Sequence, residues 1–420
     1  MDRGKTSNNL RYNRTKQMSK TGNNFINVLK SLGPGIITAA LVFGPSKMTI
    51  TSKLGAIYGY DTLWLVVVAI FFMLVFTGMG ARIGLCSSET LLSLVRKKWG
   101  RTIGIIIGMG VFLVTTSFQA GNSIGVGIAV AEATGTATWI WVVIFNLAGM
   151  SLLFLGSFYK TLEKLMVVLI AVMLLSFLTT LVLIKPDFTA ISQGLIPTIP
   201  EGSEAILIAF IASCFSIVGA FYQAYLVQER NKNKKQNSDK TTSLTGIVLL
   251  GLMSAVVIIC AAAVLNPQGI QVKSASEMSK ALEPLFGSFA AYLFLTGLFG
   301  ASFSSLIGNA TVGGSLLGDA MGFGSDLNST KVKGLIALVM FFGAGIALSF
   351  GKLPLELIIF AQSVTIFLVP FIGIAMFIVA NDREIMGGRV NSIFSKISGS
   401  IGLLLLIGLA AWNFNELFIK

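Results

Sequence analysis

The sequence predicts an all-α polytopic membrane protein with about eleven transmembrane helices, and three observations predict it. Hydrophobic residues make up 54% of the 420-residue chain and charged residues only 12%. With a mean hydropathy of +0.82, this lies outside the range of water-soluble globular domains. Apolar runs of about 20 residues, the length that crosses a bilayer as a helix, recur along the chain. Lysine and arginine fall mainly on alternate connections between those runs, which is the signature of the positive-inside rule.

In chain order, residues 1–30 are polar and basic with no apolar stretch, so they read as a cytosolic tail and not as a cleaved signal peptide. Spans are predicted at 31–58, 61–83, 102–132, 136–156, 162–184, 203–228, 242–265, 284–318, 331–351, 353–381 and 394–417. With the N-terminus in the cytosol, the inside segments hold 24 Lys and Arg and the outside segments six, leaving Lys47 inside span 1. The net charge of +13 is therefore a topology signal and not a nucleic-acid surface. An odd number of spans puts the C-terminus outside. The expected setting is a plasma (inner) membrane crossed many times, with a monomer as the working unit.

Two spans look interrupted. Span 1 carries Gly33-Pro34-Gly35 near its start and Gly44-Pro45-Ser46 in its middle. Span 6 carries Ser213, Ser216 and Gly219, followed by the polar run Tyr222-Gln223-Ala224-Tyr225. Helix breakers at corresponding places in two sets of spans point to the substrate site of an inverted-repeat transporter. Irregular backbone at that depth survives only where it lines a cavity or is buried in protein.

Composition also excludes chemistry. There is no histidine, and Cys86, Cys214 and Cys260 are widely spaced with no CxxC pattern, so they read as small buried hydrophobes and not as a disulfide or metal centre. No nucleophile stands beside a base, so an enzyme is not expected, and no cofactor is implied. Lys47 is the exception to the apolar rule, since a charge at mid-bilayer costs at least ~2.5–3.5 kcal/mol and marks a functional site by default. Three roles are open to it: capping carbonyls of the broken helix or snorkelling to an interface, binding a small anion or carboxylate, or carrying a proton as a tethered cation.

Several short motifs then occur in an order and spacing that resemble the Nramp transporters of divalent metals. These are Gly33-Pro34-Gly35, Gly55-Ala56-Ile57-Tyr58-Gly59-Tyr60, Leu162-Glu163-Lys164, Gly194-Leu195-Ile196-Pro197, Ser304-Ser305 and Ala361-Gln362-Ser363. The resemblance covers roughly residues 30–385 and implies a LeuT-like fold of two inverted five-helix repeats. On that frame, 31–184 is the first repeat, 203–381 the second, and 394–420 an eleventh helix with the C-terminus.

The chain departs from the family pattern where that family binds metal. The family's Asp-Pro-Gly-Asn in span 1 is Gly44-Pro45-Ser46-Lys47 here, and its Met-Pro-His in span 6 falls on Gln223-Ala224-Tyr225. Its Asp-x-x-Glu in span 3, associated with proton movement, falls on Gln119 and Asn122, which read as a neutral packing pair. A divalent cation needs oxygen, nitrogen or sulfur ligands and usually a negative charge, and no metal ligand set is assigned. The expected substrate contacts are Gly44, Ser46, Lys47, Thr49, Tyr222, Gln223, Tyr225, Ser304, Ser305 and Gln362, with Asn309 a weaker candidate.

The expectation is a secondary transporter working by alternating access on a small anionic or zwitterionic solute selected by Lys47. One alternative is an atypical carrier of a hydrated divalent metal such as Mg2+, held by Ser46, Gln223, Gln362 and backbone carbonyls. The other is a sensor that keeps the fold without transport.

Overall fold

A computed structural model describes residues 43–154, 156–232, 239–349 and 354–419. The basic N-terminal stretch, the Gly33-Pro34-Gly35 motif and the first part of span 1 lie outside the described residues, as do residues 233–238 of the basic run after span 6. The described chain is helical throughout, in the order expected from the hydropathy pattern. Span 1 is represented by α1 (Pro45–Tyr58), followed by α2 (Trp64–Cys86), α3 (Leu91–Thr134), α4 (Thr138–Leu152) and α5 (Gly156–Ile184). Span 6 is divided into α6 (Glu204–Phe215) and α7 (Ile217–Lys232). Then come α8 (Asp239–Val264), α9 (Ala290–Met321), α10 (Thr330–Ser349), the pair α11 (Pro354–Val364) and α12 (Val369–Asn381), and α13 (Ile393–Phe418).

Among the described residues, eight helical segments are long and apolar enough to cross a membrane, and nine when the bent α11–α12 pair counts as one span. The 15-residue α4 and the 14-residue α1 fill the remaining two places in the predicted order. Each of the eleven predicted segments thus overlaps a helix among the described residues.

Local chemistry sets the ends. The Thr90 hydroxyl caps α3 by accepting from the Ser93 amide, and Gly135 ends the same helix in a left-handed conformation (φ 68). That helix runs 44 residues because a glycine with φ 87, Gly100, joins an interfacial segment to the span proper. The segment carries Arg96, Lys97 and Lys98, so hydropathy alone reads it as a connection. Span 10 bends by 44° between α11 and α12. A short 3-10 turn at Thr365–Phe367 loosens the backbone there, and Pro370, with no N–H to give, enters the first turn of α12.

The core is built from α3 and α9 lying along each other, with α2 against α7 and α1 against α8. At the α2–α7 crossing a Cβ on Gly80 would stand 2.0 Å from the Ala220 carbonyl oxygen, so only glycine allows that approach. All twelve residues from Pro45 to Ala56 of α1 are buried. Helix α1 therefore sits in the middle of the bundle, wrapped by protein and not by lipid. The three cysteines are free thiols.

Candidate functional site

The site grows from the start of α1. Gly44 is its N-cap, in extended conformation (φ −79, ψ −177), and no side chain caps the helix. Pro45 occupies the first helical position, where its fixed φ suits the helix and its missing N–H costs nothing. Met48 N–H is the first amide to bond back, to the Gly44 carbonyl at 3.2 Å. The amides of Ser46 and Lys47 thus belong to the open first turn, the positive end of the helix. This helix end lies deep in the protein, where its donors need a partner other than bulk water.

Lys47 is 3% exposed, and its Nζ has no hydrogen-bond partner among the described residues. Helical side chains lean toward the N-terminus of their helix, so the Lys47 chain projects back over the same open turn. Among the described residues no group of three or more His, Cys, Asp and Glu could hold a metal ion.

Around this turn α3, α9 and α11 supply amides and hydroxyls. Gln362 Nε2 on α11 donates to Ser46 Oγ at 2.8 Å, and its Oε1 is buried without a donor. Asn122 Nδ2 on α3 donates to the Ser305 carbonyl at 3.2 Å. A Cβ placed on Gly44 would lie 2.8 Å from Ser305 Oγ and 3.7 Å from Asn122 Oδ1, so these two side chains close over the glycine. On Gly125 it would meet Pro45 Cβ and Ser302 Oγ, each at 2.5 Å, which shows how tightly α3 is pressed against the break. Ser302, Ser304, Thr49 and Thr116 each carry a buried hydroxyl with no partner among the described residues. A buried polar group left unmade is costly, and these hydroxyls lie on the helices that meet around the start of α1.

The structure thus gathers Gly44, Ser46, Lys47, Ser305, Gln362 and Asn122, with Thr49 and Ser304 buried on the same helices. For Tyr222 and Tyr225 of span 6 the printed contacts lie elsewhere. The second break falls at Ser216, a non-glycine residue in left-handed conformation (φ 45, ψ 45) between α6 and α7. Gln223 is buried and packs its Cβ toward Gly80 of α2. Tyr225 directs its hydroxyl to Asp319 Oδ2 at 2.6 Å and accepts from the Leu92 amide at 3.2 Å, which places it at the end of α9 and the start of α3. Tyr222 stacks on Tyr225 with centroids 6.1 Å apart. The reason is helical spacing: Gln223 and Tyr225 stand seven and nine residues past the break, two turns or more from it.

Gln119 and Asn122 both face α9. Gln119 Nε2 donates to the Leu306 carbonyl at 2.9 Å, and Asn309 Nδ2 donates to Gln119 Oε1 at 3.1 Å and to the Thr115 carbonyl at 2.7 Å. These amides stitch α3 to α9, a role that carboxylates, which only accept when ionised, cannot take. Sequence reasoning missed Ser302, which no motif marks, and Asp319, which falls one residue past the predicted span 284–318.

Comparison with known proteins adds the following. The Nramp family model, described as natural resistance-associated macrophage protein-like, matches residues 35–415. A divalent metal cation transporter, MntH, of Deinococcus radiodurans is 24% identical, the alignment covering 93% of this chain and 90% of that protein. A transporter of the same name from Yersinia pestis is 23% identical over 91% of this chain and 94% of the relative. Among solved structures, a mutant of the Eremococcus coleocola manganese transporter superimposes with a TM-score of 0.75 at 18% identity, covering 93% and 87% of the two chains. The nucleobase-cation-symport-1 family transporter MHP1, in a closed conformation with bromovinylhydantoin bound, gives a TM-score of 0.59 at 13% identity, covering 93% and 94%.

Proposed function

The chain belongs to the Nramp family, a family of membrane transporters and not of enzymes, and from that premise we propose that its cargo is a small anionic or zwitterionic solute selected by Lys47. The carrying observation is the Lys47 ammonium, 3% exposed and without an acceptor, in the open first turn of a helix that begins inside the protein. An anion entering there meets a full positive charge, the positive end of the α1 dipole and the hydroxyl and amide groups of Ser46, Ser304 and Gln362. Alternating access, with both repeats (31–184 and 203–381) rocking around this site, completes the reading. The N-terminus and the basic connections then lie in the cytosol, as the lysine and arginine asymmetry requires.

Magnitudes separate the anion from the dication. At 4 Å and an effective dielectric near 20, two unit charges interact by roughly 4 kcal/mol, so a charged lysine would repel a dication by roughly twice that. The same lysine attracts a monoanion by roughly the single value. The family's aspartate is absent, and the Gly44 position has been closed by Ser305.

A second reading is favoured by the comparisons, since the relatives are named as divalent metal cation and manganese transporters. On that reading Lys47 is neutral, and a hydrated ion is held through its waters by Ser46, Gln362, Gln223 and carbonyls. Thermal stabilisation of the purified protein separates the two, because a ligand that binds the native state raises its midpoint. The anion reading expects stabilisation by a small carboxylate or bicarbonate that Lys47→Ala abolishes. Stabilisation by Mn2+ or Mg2+ that survives Lys47→Ala overturns it in favour of metal.

A further inference from the structure

Tyr225 and Asp319 are the buried polar pair that the substrate site leaves unused. Asp319 is 3% exposed at the cytosolic end of α9 and is held from three sides. The Tyr225 hydroxyl of α7 donates to its Oδ2 at 2.6 Å. The Arg96 guanidinium of α3 lies 3.5 Å from its Oδ1 and donates to its backbone carbonyl at 2.5 Å. The Leu92 amide of α3 donates in turn to the Tyr225 oxygen at 3.2 Å. One turn further along α7, Gln228 Nε2 donates to the carbonyls of Ser87 (3.0 Å) and Glu89, on the connection between α2 and α3. Hydrogen bonds to a charged partner in a buried setting are the strong ones.

We propose that Tyr225 and Asp319 form a cytosolic latch, which holds the α7 half of span 6 against α3 and α9 and must release for the pathway to open to the cytosol. The argument is mechanical. The α7 half-helix is uncoupled from α6 by the left-handed residue Ser216, so it can swing about that point while α3 and α9, packed along each other, stay fixed. A swing away from α3 and α9 breaks the Tyr225–Asp319 and Leu92–Tyr225 bonds together. While it holds, the latch keeps the protein in the cytosol-closed state. The inference does not depend on which solute is carried.

The test is a distance measurement between spin labels at Arg101→Cys and Glu229→Cys, both exposed positions at the cytosolic ends of α3 and α7. It is made on the full chain in lipid nanodiscs with Cys86→Ser. Tyr225→Phe keeps the ring stacked on Phe221 and Tyr222 and removes only the hydroxyl. The expected result is a longer-distance population raised about tenfold over the parent, the factor that losing one buried charge-assisted hydrogen bond carries. Asp319→Asn, close in shape, is read the same way if Tyr225→Phe gives no folded protein. The double variant should shift less than the sum of the two single variants, since they share the Tyr225–Asp319 bond. Distance distributions in either single variant that superimpose on the parent overturn the latch, as does full additivity in the double variant.

Discussion

Replacing Lys47 by Met should make the protein more stable and abolish its response to anions. The ammonium is 3% exposed with no partner, and placing a charge at this depth costs at least ~2.5–3.5 kcal/mol. Its position in the first turn of α1 adds an unfavourable interaction with the helix dipole of about 0.3–1 kcal/mol. Methionine has similar length, no branch and no charge, so it can fill the same channel through the bundle. The expected gain is about 3 kcal/mol, which corresponds to a rise of about 3 °C in the unfolding midpoint for a chain of this size. Intrinsic tryptophan fluorescence during thermal unfolding of ligand-free protein reads this directly. A fall of several degrees in Lys47→Met would refute the reasoning, because it would mean that the ammonium caps carbonyls of the broken helix and serves the fold and not a ligand.

Gly44→Asp should eliminate stabilisation by small anions. Its Cβ forces Ser305 Oγ outward from 2.8 Å, and a carboxylate at the N-cap competes for Lys47 and the open amides; retained anion stabilisation in a titration would count against the site. Asp382→Asn should cost at most about 1 kcal/mol, as for other exposed pairs. Lys98 beside Asp382, together with the amides of Ile385 and Glu384, holds its carboxyl below the usual carboxylate range. A lowered folded-state value means that this contribution is present in full above about pH 4, the ordinary carboxylate value, and is lost as the pH falls through the folded value. The stability gap between parent and Asp382→Asn should therefore be seen at pH 7 and close below about pH 4, which unfolding midpoints across a pH series would show.

Much of the fold was legible because bilayer thickness imposes one length on every span and because glycine and proline mark where a span breaks. The start of α1 was readable from Gly44-Pro45-Ser46, since Gly44 caps the helix and Pro45 takes its first position. Two features were hidden for physical reasons. The 91–99 segment is amphipathic and basic, so only its continuation through Gly100 reveals it as part of α3. The bend of span 10 rests on a 3-10 turn that apolar residues conceal, although Pro370 three residues past its end was an available sign.

The site was legible on one side only. Ser46, Lys47, Ser305 and Gln362 converge because α1, α9 and α11 meet at the first break. Tyr222, Gln223 and Tyr225 were read as lining by their polarity, yet the break in span 6 lies at Ser216, and two turns of helix carry Tyr225 away to Asp319. That partner is 94 residues distant in sequence, and no local pattern connects them. The Asn122 and Ser305 contacts over Gly44 likewise join positions far apart in the chain.

The most direct measurement of the central claim is thermal stabilisation of parent and Lys47→Ala protein by bicarbonate, small carboxylates and amino acids, beside Mn2+ and Mg2+. A small anion or zwitterion that stabilises the parent and loses its effect in Lys47→Ala is the expected result. Stabilisation by a divalent metal, equal in both proteins and unmatched by any anion, would contradict it.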